Sequence, residues 1–258
     1  MQKRALVTGG AGFIGCNTAR LLLKHGWQVT ALDNLSLGRP ENLPAEVELV
    51  VGDLAEAEVW ERVPAADAVI HLGGASSAPM FADNLAGCYR NNVEGFVRVL
   101  EWSRLVGATR VAYASTSSVY GNVTPPLRED GPLDLPNFYA VSKYCMEQLA
   151  RTYHLEYGLD VVGFRFMSVY GPREAHKGKF ANLVSQFFFN QSIETGGLYS
   201  GAVIVICVVL LVWWLRDGHI SPGEKWGMVI CSFVVGSTPL VTTWFPTAIN
   251  EVWSMIPV

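Results

Sequence analysis

Residues 4–15 read Arg-Ala-Leu-Val-Thr-Gly-Gly-Ala-Gly-Phe-Ile-Gly, and this stretch decides how the rest of the chain is read. A short apolar run ends in glycines spaced GxxGxxG at Gly9, Gly12 and Gly15, and the periodicity of a helix begins at once. Glycine at such a junction makes a tight strand-to-helix turn and lets backbone N–H groups approach a pyrophosphate. It also lets the helix pack close on the sheet with its N-terminus toward the phosphates. Glycine makes ordinary turns as well, so the trio alone does not separate a phosphate cradle from a plain turn.

The next acidic strand end strengthens the cradle reading. Asp33 closes the second apolar run about 20 residues on, where a carboxylate accepts both ribose hydroxyls and repels a 2′-phosphate. This favours NAD over NADP, with Arg39 close by read either as a solvated loop cation or as a partner for a 2′-phosphate. Gly52-Asp53-Leu54 ends the third run, which puts the Asp53 carboxylate either near an adenine amino group or in a simple turn.

Short β-branched runs alternate with amphipathic stretches up to about residue 190, the rhythm of a parallel sheet covered by helices on both faces. The pattern predicts strands at 3–8, 28–33, 47–51, 68–72, 110–115 and 160–166. It predicts helices at 13–25, 89–106 and 138–157, with Gly26 and Gly107 as left-handed caps. The fold class is therefore α/β, a Rossmann-type doubly wound sheet over residues 1–190. With 258 residues, half of them hydrophobic, the chain can bury one sizeable core and a second segment. A net charge of -4 with no basic run excludes a nucleic-acid partner. Five cysteines without CxxC or Cys/His spacing suggest neither zinc nor a disulfide framework, and no metal site is expected. The first apolar run is too short for a signal-peptide core, so a cytoplasmic location is expected for this module.

Tyr139-Ala140-Val141-Ser142-Lys143 places a phenol and an ammonium four residues apart, on one face of a helix. A cation beside a phenol favours phenolate and lowers its pKa, which makes Tyr139 a usable general acid and base. The same spacing also arises by coincidence on helix surfaces. Ala114 to Gly121 (ASTSSVYG) closes the fifth strand at the carboxyl edge, where ligands bind in open α/β folds, and Thr116 is placed to hydrogen-bond a reacting hydroxyl. His71 reads as a packed strand-end residue, and Lys177 and Lys179 as loop lysines, solvated or steering an anionic diphosphate.

With these motifs together, the chain resembles the extended short-chain dehydrogenase/reductase family. The resemblance is to its NAD-dependent epimerase/dehydratase group, near the UDP-glucose 4-epimerases. It rests on TGGAGFIG, Asp33-Asn34-Leu35, Gly52-Asp53-Leu54, Val69-Ile70-His71-Leu72, Asn92-Val93-Glu94-Gly95, Ser115 to Gly121, Tyr139 with Lys143, and RFMSVYGPR at 165–173. The resemblance implies that Tyr139 takes the proton of a sugar C4 hydroxyl while hydride passes to NAD. Lys143 would hold the nicotinamide ribose and Thr116 would assist. It implies that Phe13, Ile14, Asp33, Asn34, Asp53, Leu54, Leu72, Asn92 and Met167 line the cofactor site, that the substrate is a nucleotide sugar such as a UDP-hexose, and that two copies pair through 89–106 and 138–157. Dehydratases of this group carry an Asp-Glu pair after the active Thr, where Ser117 and Ser118 stand here, and Ser168 replaces the usual Asn before VYGP.

Beyond Thr195 the character changes. Gly196 to Leu215 and Trp226 to Asn250 carry no charge, and Arg216 to Lys225 connect them. This predicts a tail, 191–258, forming two transmembrane helices at 198–215 and 226–249 and so a membrane association, the alternative being buried segments of a soluble domain. The C-terminal substrate lobe expected from the resemblance is not legible there. The tail then reads as a natural membrane tether, a degenerate gene or a fused reading frame. Three functions follow: a nucleotide-sugar epimerase, an NAD-binding but catalytically incompetent membrane-tethered module, or a truncated fusion lacking the substrate lobe.

Overall fold

The computed structural model describes residues 2–181 and residue 185, and the chain divides between Val169 and Tyr170 into two compact units. In the first unit six strands form one parallel sheet: β1 (Arg4–Thr8), β2 (Gln28–Asp33), β3 (Glu48–Val51), β4 (Ala68–His71), β5 (Arg110–Thr116) and β6 (Val161–Phe166), in the order β3-β2-β1-β4-β5-β6. Every strand predicted from the sequence is present, with ends displaced by one residue at most. Leu6 pairs with Thr30 of β2 and Val69 of β4, so β1 is central. Ala5 to Thr8 are all buried, as a parallel strand covered on both faces requires.

The strand order reverses between β1 and β4. Right-handed crossovers therefore put α1 (Phe13–Lys24) on one face and α4 (Gly95–Leu105) and α5 (Phe138–Tyr157) on the other. The carboxyl edge at such a switch is where ligands bind in open α/β sheets, and here the chain leaving β4 lies against the glycine turn that leaves β1. Phe96, Val99 and Leu100 of α4 and Met146 of α5 meet Leu6, Leu32, Val69 and Val111 of the sheet in the main core. Full burial of such a side chain contributes about 2 kcal/mol. A 3-10 segment, Ala57–Arg62, adds Trp60, whose ring lies 5.5 Å from Trp102. Gly26 and Gly107 hold positive φ after α1 and α4, the caps predicted for them.

The single helix predicted over 89–106 is instead α3 (Leu85–Tyr89), a π turn over Arg90–Glu94, and α4. The cause is Asn92, which is fully buried. Its Oδ1 accepts from Ala75 N at 2.7 Å, and its Nδ2 donates to Ala75 O at 3.1 Å and Ser142 Oγ at 3.0 Å. The wider turn admits the residue that these inward bonds displace. A short helix α2 (Ala78–Asp83), which the sequence pattern did not reveal, precedes α3.

In the second unit a 3-10 segment spans Ala175–Phe180. Buried Glu174 accepts from Ser185 Oγ and lies 3.6 Å from Lys177 Nζ. Lys177 is thus paired and not freely solvated, because a buried carboxylate requires a counter-charge. The predicted spans 198–215 and 226–249 lie outside the described residues. Among the described residues no helix is long and apolar enough to cross a membrane.

Candidate active site

The chain leaves β1 at Thr8, turns through Gly9 at φ +65°, and enters α1 with Gly12 as N-cap. A Cβ on Gly9 would stand 2.6 Å from Gly73 N, and one on Gly15 2.1 Å from Gly9 O, so neither position admits a side chain. The first turn of α1 carries no side-chain cap and no acidic residue, which leaves its partial positive charge to an external anion. At the end of β2 the buried Asp33 accepts from Ala11 N at 3.0 Å and Leu35 N at 2.9 Å, which fixes its carboxylate beside the loop. A glycine cradle at an uncapped helix start, next to a fixed acidic strand end, fits the two phosphates and unmodified ribose of NAD.

Asn34 is exposed and donates to Asp53 Oδ2 at 3.3 Å, while Asp53 Oδ1 accepts from Ala55 N at 2.9 Å. Phe13 is buried and Ile14 half-buried in the first turn of α1. Leu72 N donates to Thr8 O at 3.1 Å, which ties the β4 loop to the β1 end. Leu54 and Asn92 lie beneath this surface, where they support the backbone of Gly73 to Ala75. Met167 is 62% exposed just past the end of β6.

Thr116, Tyr139 and Lys143 come together at the end of β5. Asn137 caps α5, its Oδ1 accepting from Ala140 N at 2.9 Å, which sets the first turn that carries Tyr139. The Thr116 hydroxyl stands beside the Tyr139 phenol and favours its ionised form. Lys143 Nζ donates to Ala114 O at 3.0 Å, and Thr116 Oγ1 accepts from Ser118 N at 3.1 Å. All three side chains are buried, and the Phe81 ring of α2 lies 5.9 Å from that of Tyr139.

Burial holds the Lys143 ammonium down to about 8. Burial also pushes the Tyr139 phenol up, and the Thr116 hydroxyl opposes it. This corrects the expectation that Lys143 lowers the Tyr139 pKa: desolvation of the phenolate dominates, and the ammonium is engaged with a backbone carbonyl. His71 is the packed residue expected, stacked on Phe96 at 5.1 Å, with Nδ1 2.8 Å from Thr8 Oγ1. Burial first, and then the charge of Lys143, push it down to about 3, so it is neutral at pH 7.

The sequence motifs give no role to Glu147, Ser115 or Arg165. Glu147 sits one helical turn beyond Lys143, on the same face, and forms a bidentate pair with Arg165 of β6. The spacing Tyr139, Lys143, Glu147 was the available signal, but its partner lies on a strand that only the fold brings near.

A family model described as the NAD dependent epimerase/dehydratase family matches residues 5–197. Among curated proteins, the chain is 38% identical over 176 residues to a UDP-glucose 4-epimerase of Azospirillum brasilense, covering 67% of this chain and 51% of that protein. It is 34% identical over 197 residues to a UDP-N-acetyl-alpha-D-glucosaminuronate decarboxylase of Bacillus cytotoxicus, covering 72% and 60%. Among solved structures, the UDP-glucose 4-epimerase of Thermus thermophilus in complex with NAD matches with TM-score 0.67 and 35% identity, covering 71% of this chain and 61% of that one. The chain thus spans half to three fifths of the length of these relatives. By the family match over three quarters of its sequence, on a sheet and glycine loop of the form just described, the chain belongs to the NAD dependent epimerase/dehydratase family.

Proposed function

We propose that this chain is an NAD-dependent epimerase of a UDP-hexose, inverting the sugar at C4 by oxidising and re-reducing it in place. One observation carries the reading. The buried Tyr139 phenol, beside the Thr116 hydroxyl and one helical turn from Lys143, stands at the carboxyl end of β5, on the same edge of the parallel sheet as the glycine turn after β1.

In this reading Gly9, Gly12 and Gly15, with the start of α1, would hold the pyrophosphate, Asp33 would take the ribose hydroxyls, and Asp53 would serve the adenine. Phe13, Ile14, Asn34, Leu72 and Met167 would shape the surrounding walls, and Leu54 and Asn92 would support them from beneath. Bound NAD supplies the hydride acceptor and donor. Thr116 orients the C4 hydroxyl, and Tyr139 withdraws its proton as the C4 hydrogen leaves. Lys143, whose ammonium is held on Ala114 O, would hold the nicotinamide ribose. Tyr139 would return a proton to the oxygen once the 4-keto sugar has turned over within the site and been reduced on its opposite face. Ser117 and Ser118 offer no carboxylates for elimination of water, so the chemistry ends at epimerisation.

Purified full-length chain should carry NAD and interconvert UDP-glucose and UDP-galactose, and Tyr139→Phe should lower turnover about 10²–10⁴-fold with NAD retained. Parent chain that binds NAD yet turns over no UDP-hexose would overturn the epimerase reading in favour of a dinucleotide-binding module without a competent sugar site. Membrane attachment through 198–249 and pairing of two copies through α4 and α5 are proposals as well. They are read by the detergent needed for solubility and by the mass in solution.

A further inference from the structure

We infer that Glu147, Ser115 and Arg165 form a positioning clamp that sets the end of β5 against α5 and so holds Thr116 and Ala114 in register with Tyr139 and Lys143. The inference rests on the proposed roles of Thr116, Tyr139 and Lys143 and deepens them. Glu147 Oε1 accepts from Arg165 Nε at 2.9 Å and from Ser115 Oγ at 2.5 Å, and Oε2 accepts from Arg165 Nη2 at 2.8 Å. Arg165 Nη1 donates to Tyr120 OH and to Glu129 O, both at 3.2 Å, and its guanidinium lies 5.0 Å from the centre of the Tyr120 ring.

One ion pair therefore joins five places: the end of β5, the turn after Thr116, the loop that leads into α5, α5 itself and β6. Each of the first four carries or flanks a group of the site. The pair is largely shielded, with side-chain exposures of 17% for Arg165 and 13% for Glu147. A bidentate Arg–carboxylate fork fixes direction as well as distance, which a single apolar contact does not. Ser115 lies between Ala114, whose carbonyl receives Lys143, and Thr116, whose hydroxyl stands beside Tyr139. Its hydroxyl bond to Glu147, eight residues beyond Tyr139, is thus the third rung between β5 and the same face of α5. A displacement near 1 Å at the reacting groups costs roughly 10²-fold in rate, so small slippage of these rungs is enough to be seen.

The test uses the full chain with Ser115→Ala, which removes the third rung and leaves the Arg165–Glu147 pair intact, beside Glu147→Gln. Two quantities are read on folded protein: kcat and KM for UDP-galactose, and the titration midpoint of Lys143, followed by NMR of labelled lysine and assigned with Lys143→Arg. The clamp predicts that Ser115→Ala lowers kcat at least about fivefold, with KM within about twofold. It also predicts that the Lys143 midpoint moves up from about 8 toward its ordinary value as water reaches the ammonium. A parent-like kcat or a parent-like midpoint in Ser115→Ala overturns the clamp, and a merely structural role, which lowers thermal stability alone, gives that result. If Glu147→Gln does not fold, Ser115→Ala decides by itself. If the parent chain shows no turnover, the epimerase reading fails separately and the Lys143 midpoint decides the clamp.

Discussion

Replacing Lys143 by Met should make the fold more stable at neutral pH while removing the proposed chemistry. Burial lowers Lys143 from 10.5 to about 8. At about 1.4 kcal/mol per pH unit, keeping that ammonium inside the native fold costs about 3 kcal/mol at pH 7. Methionine keeps an unbranched stem of similar reach but forgoes the bond to Ala114 O, worth about 1 kcal/mol. The net gain for Lys143→Met is about 2 kcal/mol at pH 7. The sign with pH follows from proton binding. Below about pH 8 the lysine is charged in both states and the penalty is complete. Between about 8 and 10.5 the unfolded chain holds more protons than the native one, so the parent gains stability as pH rises. Near pH 10 the advantage of the variant should shrink to roughly zero. Urea unfolding of both proteins at pH 7 and pH 10 measures this directly. A variant less stable than its parent at pH 7, or an advantage equal at the two pH values, refutes the reasoning.

The pH–rate profile should rise about tenfold per unit below about pH 8 and then flatten, since phenolate gained at Tyr139 is offset by ammonium lost at Lys143; steady-state rates from pH 6 to 10 show whether the break is there. Gly15→Ala places a Cβ against Gly9 O and should cost about 2 kcal/mol and most of the bound NAD, read by thermal unfolding and by absorbance after denaturation. Ser168 holds φ +42°, a region Asn tolerates better than Ser, so Ser168→Asn should raise stability by about 0.5 kcal/mol; an unchanged or lower urea midpoint speaks against strain at this position.

The strands and the glycine loop were legible because each depends on local pattern: an apolar run buried on both faces, or a junction where no Cβ fits. The same holds for α5, whose cap Asn137 and terminal Gly158 bracket the Tyr139–Lys143 face. The region around Asn92 was not legible, because its π turn answers to Ala75 and Ser142, neither of which is a helical neighbour. Among the site groups, Thr116, Tyr139 and Lys143 could be chosen from spacing and strand position, whereas Glu147 needed Arg165 of β6 and Ser115 of β5 beside it before its carboxylate acquired a role. The phenol pKa ran opposite to the sequence argument for a related reason. Spacing reports which charges share a helix face, but burial, which dominates here, is a property of the packed site.

The central claim is that C4 of the sugar is oxidised and re-reduced within one site. It is tested most directly with UDP-galactose deuterated at C4, converted by the purified full-length chain and analysed by NMR of the UDP-glucose formed. Transient oxidation predicts that the product keeps its deuterium at C4, and that unlabelled substrate in heavy water acquires none there. Loss of the label to solvent, or no conversion by a chain that binds NAD, would contradict it.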